Sequence, residues 1–188
     1  MNIFITGNPG CGKSTLIQKI LAEISDKKIS GFITPEIRVR GQRQGFKIID
    51  LASKEEEIMA SLNLNRGPGV SRYRVNVKGI DFIIDKFMKS YEDSQCVIID
   101  EIGMMEFFSR KFREAIKQVL ISDKVVMATL SRKFVKKYKD KGQIFFLTRD
   151  NFDEIYNRIL AKIRDLSPTV LVSAGIKKNF NGEKLDVD

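Results

Sequence analysis

The hydrophobic and polar residues of this chain follow two different spacings, which predict strands and helices in turn. Residues 2–6 form a short apolar run that ends at Gly7, as expected for a buried strand. Apolar positions then recur every three or four residues to about Ser25, which predicts a helix with one apolar face. The chain therefore opens with a strand, a glycine-rich loop and a helix.

The rest of the chain repeats this order of strands and helices. Strands are predicted at residues 95–100, 125–130 and 143–147, and helices at about 80–91, 112–120 and 151–163. The first of these strands contains the continuous apolar run Cys-Val-Ile-Ile, which is typical of a strand covered on both faces. We therefore predict an α/β domain of three layers with a mainly parallel central sheet.

An inserted β-hairpin is predicted after the first helix. Residues 29–37 and 45–51 are apolar-rich strands, and the basic segment between them would form the tip. Residues 53–72 have no regular pattern and contain the turn-forming run Arg-Gly-Pro-Gly, so we expect a loop that is mobile or faces the substrate. Residues 166–188 also lack periodicity, and we assign them as a C-terminal extension to a domain of residues 1–165.

The composition restricts the chemistry that this protein can use. Its 188 residues suit a single domain, and the absence of histidine excludes serine-hydrolase triads, histidine-ligated zinc and imidazole general bases. The two cysteines, Cys11 and Cys96, are too few for a disulfide framework and suit a reducing, cytoplasmic setting. No run approaches the ~18 apolar residues of a membrane span. We expect a cytoplasmic protein that is a monomer or a weak oligomer.

A phosphate-loop motif lies between the first strand and the first helix, the context that this motif requires. Its glycines allow a tight turn whose N–H groups point at phosphate oxygens, and the helix adds its positive N-terminal end. We expect Lys13 to bind the β- and γ-phosphates and the Ser14 hydroxyl to bind Mg²⁺. The predicted nucleotide-binding residues are Gly7, Asn8, Pro9, Gly10, Cys11, Gly12, Lys13, Ser14 and Thr15. The sequence thus predicts a P-loop NTPase domain.

A second motif lies at the end of the apolar strand near residue 100. Asp100 and Glu101 directly follow Ile98 and Ile99, as in a Walker B motif. At the carboxyl end of a parallel strand, Asp100 would lie beside the phosphate loop and hold Mg²⁺, directly or through water. Glu101 would orient a water molecule in line with the γ-phosphate.

Two weaker signals come from the ends of the last two strands. Thr129, near the end of the strand 125–130, is a candidate sensor of the γ-phosphate or the attacking water, although threonine is also common at strand ends without any such role. The segment Thr148-Arg149-Asp150 does not supply the base-reading motif of GTPases. Strict selection for guanine is therefore not expected.

The net charge of +9, from 33 Lys and Arg against 24 Asp and Glu, favours binding of polyanions. Part of this charge lies in Arg132, Lys133, Lys136, Lys137, Lys139 and Lys141. These residues would form a solvated helix face, or a lid in which Arg132 stabilises charge during phosphoryl transfer. Nucleic-acid binding is a third interpretation and is not favoured, because only Phe134 and Tyr138 offer rings for stacking.

Several segments of the chain carry a family resemblance. They are residues 7–15, Gly31-Phe32-x-Thr34-x-Glu36-x-Arg38, Arg43-x-Gly45-Phe46, Tyr73-x-Val75-x-Val77 and Asp100-Glu101-Ile102-Gly103-x-Met105-Glu106. Together they resemble the THEP-type nucleoside-triphosphatase family, from residue 1 to about residue 164. The resemblance implies a Mg²⁺-dependent phosphatase that removes the terminal phosphate of several nucleoside triphosphates with little base preference.

The same resemblance implies two segments that contact the nucleotide. One is residues 8–15, and the other is Val97, Ile98, Ile99, Asp100, Glu101, Ile102, Gly103 and Met104. Met104 stands where many members of the family have lysine, so a cationic role of this position is not expected here.

The combined hypothesis is hydrolysis of ATP, GTP, CTP, UTP and TTP to the diphosphate and phosphate. Lys13 and Glu101 would be the catalytic residues, and Ser14 and Asp100 the ligands of Mg²⁺. A nucleotide or small-molecule kinase would share every motif and would differ by requiring an acceptor. An NTP-dependent switch associated with RNA is a further alternative, whose turnover would rise with RNA and whose binding would weaken steeply with salt.

Overall fold

The structure is a computed structural model that describes residues 1–165. This part of the chain contains ten strands and five α-helices. The helices are α1 (Lys13–Glu23), α2 (Val77–Tyr91), α3 (Arg110–Leu120), α4 (Val135–Tyr138) and α5 (Phe152–Asp165). The strands are β1 (Asn2–Gly7), β2 (Ile29–Ile33), β3 (Glu36–Val39), β4 (Gln42–Asp50), β5 (Glu56–Ser61), β6 (Gly69–Val70), β7 (Tyr73–Val75), β8 (Cys96–Ile102), β9 (Val125–Leu130) and β10 (Gln143–Leu147). None of the helices in this range is both long and apolar enough to cross a membrane. The extension predicted for residues 166–188 lies outside the described residues.

All the described strands belong to one mixed sheet, in the order β10-β1-β9-β8-β2-β4-β5-β7-β6, with β3 paired to β4. The five strands from β10 to β2 are parallel, which confirms the predicted parallel core. The other strands pair antiparallel. Because β1, β9, β8 and β2 are parallel neighbours, the segments that follow them meet at one edge of the sheet, where ligands bind in folds of this kind.

Helices cover both faces of the parallel strands. Ile5 of β1 and Ile17 of α1 belong to a fully buried cluster that includes residues of α5. Phe4 and Phe87 belong to a second cluster, which α2 and α3 form on the opposite face. Consecutive residues of a strand point to opposite faces, so Phe4 and Ile5 enter different cores. The predicted three layers are therefore present.

The region between β2 and α2 differs from the prediction in two ways. The strand predicted at 29–37 is broken into β2 and β3 around Pro35, whose nitrogen carries no hydrogen to donate to a neighbouring strand. The loop predicted at 53–72 instead contains β5 and β6, and β5 pairs antiparallel with β4. The hairpin β3–β4 turns at Arg40 and Gly41, whose φ angles of 49° and 76° suit a tight hairpin turn. The insertion is therefore an antiparallel half of the sheet rather than a hairpin followed by a loop.

Candidate functional site

A cavity of about 740 Å³ lies where the parallel strands end, and its volume is usual for a small-molecule site. Residues that follow β1, β2 and β9, together with the end of β8, contribute to its lining. The predicted site residues that line it are Gly7, Pro9, Gly10, Gly12, Lys13, Ser14, Thr15, Asp100, Glu101 and Arg132. The fold thus brings both motifs and the basic segment to one cavity.

The phosphate-loop motif forms the turn between β1 and α1. Gly12 has a φ of 104°, a conformation that favours glycine, and α1 begins at Lys13 without a side-chain cap. The N–H groups of the first helical turn therefore have no acceptor within the helix and are available to an anion. The Lys13 ammonium donates to the carbonyl oxygens of Gly7 and Asn8, both at 3.3 Å. Lys13 therefore folds back over its own loop.

Three groups hold the carboxylate of Asp100. The hydroxyl of Thr129 donates to its Oδ1 at 3.1 Å, the hydroxyl of Ser14 donates to the same atom at 3.5 Å, and the backbone N–H of Thr34 also donates to this carboxylate. Burial raises the pKa of Asp100, and the three hydrogen bonds act in the opposite direction. The predicted metal ligands Ser14 and Asp100 thus lie side by side, and their hydroxyl and carboxylate oxygens are hard ligands that suit Mg²⁺.

Glu101 lines the cavity beside Asp100 and is half-buried. Burial and the charge of Asp100 raise the pKa of Glu101, while the ammonium of Lys13 lowers it. Lys13 thus favours the ionised form of Glu101, whereas burial and the charge of Asp100 disfavour it. An ionised Glu101 can accept a hydrogen bond from a water molecule in the cavity.

Arg132 connects the segment after β9 with the phosphate loop. Its Nη1 donates to Oδ1 of Asn8 at 2.8 Å. Ser131 and Lys133 line the same cavity. The start of the basic segment therefore lies at the site, whereas Lys137 farther along packs over the ring of Phe107 at 4.5 Å.

Other predicted residues lie outside the cavity lining. They are Asn8, Cys11, Val97, Ile98, Ile99, Ile102, Gly103, Met104 and Thr129. Thr129 is fully buried, and its hydroxyl donates to Asp100. Its role as a sensor of the γ-phosphate or the attacking water stays a prediction. The apolar residues from Val97 to Ile99, and Ile102, are fully buried in β8 and fix the position of the carboxylates. Met104 is 44% exposed and also lies apart from the cavity.

A wall of the cavity that the motifs did not predict comes from the antiparallel hairpin. Glu36 of β3 and Phe46 of β4 are paired across the hairpin, and Arg43 lies on β4. All three line the cavity. Their signal in the sequence is that all three belong to segments that carry the family resemblance.

Glu106 was also missed as a site residue. It lies in a 3₁₀ turn after β8, is only 3% exposed, and accepts hydrogen bonds from the N–H of Gly103 and from its own N–H. Burial and the charge of Glu101 raise the pKa of Glu106 to about 8. A Cβ on Gly103 would lie 2.8 Å from Oε2 of Glu106 and 3.2 Å from Oε1 of Glu101, so both carboxyl groups pack against this glycine. No local pattern distinguishes such a glutamate from an exposed one.

Comparison of the sequence with known proteins gives consistent matches. A family model described as NTPase matches residues 2–160. The chain is 45% identical over 174 residues to the nucleoside-triphosphatase THEP1 of Methanocaldococcus jannaschii, which covers 87% of this chain and 100% of that protein. It is 40% identical over 167 residues to the nucleoside-triphosphatase THEP1 of Pyrococcus abyssi, with 87% and 93% covered.

Comparison of the fold with solved structures gives two matches of the same kind. The crystal structure of THEP1 from the hyperthermophile Aquifex aeolicus superimposes with a TM-score of 0.72 at 34% identity, over 86% of this chain and 98% of that one. The solution structure of a human cancer-related nucleoside triphosphatase gives a TM-score of 0.69 at 25% identity, over 87% and 97%. The similarity therefore extends over almost the whole described domain.

Proposed function

The chain belongs to the THEP1 nucleoside-triphosphatase family and is a nucleoside-triphosphatase, and on this premise we propose that residues 1–165 remove the terminal phosphate of several nucleoside triphosphates in a Mg²⁺-dependent reaction. The observation that carries this proposal is the common cavity of Lys13, Ser14, Asp100 and Glu101. The reaction consumes water and yields the nucleoside diphosphate and phosphate.

The phosphate loop would bind the triphosphate. The free N–H groups at the start of α1 and the ammonium of Lys13 provide positive charge over a tight turn. Phosphoryl transfer requires little covalent help from a protein, so most of the rate would come from positioning and charge stabilisation.

Mg²⁺ would be held by the Ser14 hydroxyl and by the Asp100 carboxylate, directly or through water. These groups lie 3.5 Å apart, and Thr129 and the backbone of Thr34 orient the carboxylate. The bound ion would neutralise charge on the phosphate oxygens.

Glu101 would orient the attacking water. It lies directly after Asp100 on β8 and lines the same cavity as the phosphate loop. Burial and the charge of Asp100 raise the pKa of Glu101, and the ammonium of Lys13 acts in the opposite direction, toward the ionised form that this role requires. The guanidinium of Arg132, which contacts the phosphate loop through Asn8, would stabilise the charge that develops as water displaces the diphosphate from the γ-phosphorus.

Broad base tolerance is supported by the turn after β10. The side-chain amide of Asn151 lies in this turn. Its oxygen accepts from the N–H of Thr148 at 2.8 Å, and its nitrogen donates to the carbonyl of Phe146 at 3.0 Å. The turn thus holds this amide in place, and its sequence Thr148-Arg149-Asp150 does not supply the base-reading motif of GTPases, which supports acceptance of ATP, GTP, CTP, UTP and TTP alike.

Phosphate release from each of these five triphosphates, with Mg²⁺ and with excess chelator, tests the proposal. We expect release with every triphosphate, loss of release with chelator, and no release by Lys13→Ala protein that retains its circular dichroism spectrum. Release that is unaffected by removal of Mg²⁺, or confined to one base, would contradict the corresponding part of the proposal.

A further inference from the structure

One wall of the cavity has no part in the hydrolysis described above. This wall, the hairpin wall, consists of Glu36, Arg43 and Phe46. The backbone N–H of Thr34 donates to Asp100, and Glu36 follows Thr34 by two residues. An extended chain rises ~3.3 Å per residue, so Glu36 lies roughly 7 Å along the chain from Thr34. Since β8 lies between β2 and the pair β9 and β1, the hairpin wall and the phosphate loop lie on opposite sides of Asp100.

The guanidinium of Arg43 is held in a fixed orientation. Its Nη1 donates to Oε1 of Glu36 at 2.6 Å, its Nε donates to the hydroxyl of Tyr73 at 3.2 Å, and it lies over the ring of Phe46 at 5.3 Å. Nη2 makes no hydrogen bond to any residue in the described range, and the side chain is 41% exposed. A planar cation held in this way is suited to binding a phosphate group.

The surroundings of Arg43 carry an excess of positive charge. Glu36 also pairs with Arg38 at 2.5 Å, and Arg72 donates to the same Tyr73 hydroxyl at 3.2 Å. Burial acts to raise the pKa of Tyr73, but the hydrogen bonds and the charges of Arg72 and Arg43 lower it overall. Arg38 and Arg43 pair with the single carboxylate of Glu36, and Arg72 contacts the Tyr73 hydroxyl beside them, so this cluster carries a net positive charge and favours an anion.

The surfaces beside the guanidinium suit a flat organic group attached to that anion. Phe46, Pro35 and Ile33 give this part of the cavity apolar surface, and Thr34 and Glu36 give it polar atoms. A nucleobase packs on aromatic and apolar side chains of this type, and the hydroxyls of a sugar can donate to a carboxylate. These features together favour a nucleoside monophosphate over inorganic phosphate.

We propose that the hairpin wall binds a second substrate of the nucleoside monophosphate class, and that the protein transfers a phosphoryl group to it in addition to hydrolysing triphosphates. Arg43 binds the phosphate of this acceptor and Phe46 packs against its base. The inference rests on the proposed function, because the donor triphosphate must occupy the phosphate loop.

The transfer replaces water by an oxygen of the acceptor phosphate. That oxygen forms a bond to the γ-phosphorus of the donor, and the bond between the γ-phosphorus and the β–γ bridging oxygen breaks. The acceptor oxygen is already anionic, so no proton has to be removed. The products are two nucleoside diphosphates, one from the donor and one from the acceptor.

The experiment uses ATP labelled in its γ-phosphate, Mg²⁺ and, in separate reactions, AMP, GMP, CMP or UMP. Labelled phosphate measures hydrolysis and labelled diphosphate measures transfer. We expect transfer to at least one acceptor, and a ratio of transfer to hydrolysis that falls about tenfold or more in Arg43→Gln, because a charge-assisted bond to the acceptor is lost. Phe46→Leu, which keeps an apolar side chain but loses the ring, should lower the same ratio.

Two controls separate this site from other causes. Lys47→Gln lies on the same strand, but its side chain pairs with Glu56 at 2.5 Å and does not line the cavity, so its ratio should equal that of the wild type. Lys13→Ala should lose both products, which excludes a contaminating kinase. Normal phosphate release without labelled diphosphate from any acceptor would overturn the second-substrate site and leave the proposed hydrolysis intact. An equal loss of both products in Arg43→Gln would also overturn it, whereas no phosphate release from any triphosphate would contradict the proposed function itself.

Discussion

The hydroxyl of Thr129 donates a hydrogen bond of 3.1 Å to Oδ1 of Asp100, and both side chains are buried. Ser14 reaches the same oxygen at 3.5 Å. In the sheet, β9 lies between β1 and β8. Thr129 on β9 therefore contacts Asp100 on the neighbouring strand β8, and Asp100 also contacts Ser14, which follows β1. Partners of this kind orient a metal ligand and adjust its basicity.

Replacement of Thr129 by valine should weaken the response to Mg²⁺. The substitution keeps the shape of the side chain but leaves Asp100 without one of its donors, so the Mg²⁺ concentration for half-maximal activity should rise about tenfold. Titration of the triphosphatase with Mg²⁺ measures this. Thr129→Ser, which keeps the hydroxyl, should stay near the wild type, and a wild-type titration curve for Thr129→Val would show that the hydrogen bond has no such role.

Replacement of Glu101 by glutamine should separate binding from hydrolysis. Glutamine has nearly the same size but no charge with which to orient and activate water, so kcat should fall by roughly 100-fold or more while the triphosphate still binds. Lys13→Ala should instead lose binding itself. A fluorescent triphosphate analogue measures affinity, and phosphate release under saturating ATP measures kcat. Full activity of Glu101→Gln would assign the water to another residue.

Replacement of Arg132 by alanine should lower kcat more than it changes KM. The guanidinium contacts the phosphate loop through Asn8 and would act mainly on charge that develops during the reaction, so we expect a loss of roughly 100-fold in kcat. Steady-state kinetics with ATP measures both constants. Lys139→Ala removes an exposed cation of the same segment that does not line the cavity, and it should have little effect. Equal losses in the two variants would indicate a general effect of charge.

Replacement of Glu106 by glutamine should change how the stability depends on pH. The pKa of Glu106 is raised from 4.5 to about 8 in the folded protein, so its contribution is fully present at acidic pH and is lost as the pH rises to about 8. In that window the unfolded chain releases a proton that the folded chain keeps, and the free energy of unfolding falls by about 1.4 kcal/mol per pH unit. Glutamine cannot ionise, so the slope of Glu106→Gln should be shallower than that of the wild type by this contribution. Asp100 and Glu101, whose pKa values are also raised, contribute to the slope in both proteins.

Urea unfolding at several pH values across this window measures the slope. Glu114→Gln is the matched control, because Glu114 is exposed and its pKa is lowered by the side-chain hydrogen bond and the charge of Arg110. That variant should keep the wild-type slope between about pH 5 and pH 8. The same slope in Glu106→Gln and the wild type would mean that Glu106 is ionised in the folded protein at neutral pH.

The parallel core and both motifs were predictable from local patterns. The phosphate loop needs contiguous residues with a strand before it and a helix after it, and the run before Asp100 is apolar because β8 is buried on both faces. Parallel strands end at one edge, so Lys13, Ser14, Asp100 and Glu101 were expected to meet there.

The antiparallel half of the sheet was not predictable in the same way. β5 contains two glutamates, and its apolar and polar residues alternate only weakly. Its pairing with β4 therefore depends on contacts between segments that are separate in the chain. The position of Thr129 behind Asp100, rather than facing the cavity, depends on the direction of a side chain in a strand that no local pattern specifies.

The α/β class, the phosphate loop and the carboxylate pair follow from local sequence, because each depends on neighbouring residues and on the periodicity of a single element. That Glu36, Arg43 and Phe46 line the cavity and that Glu106 is buried beside the site follow from the folded chain alone. Burial and charge pairing depend on which distant segments come together. The exposed Glu56 on β5 and the buried Glu106 are the same residue type, so their different environments cannot be told from residue type alone.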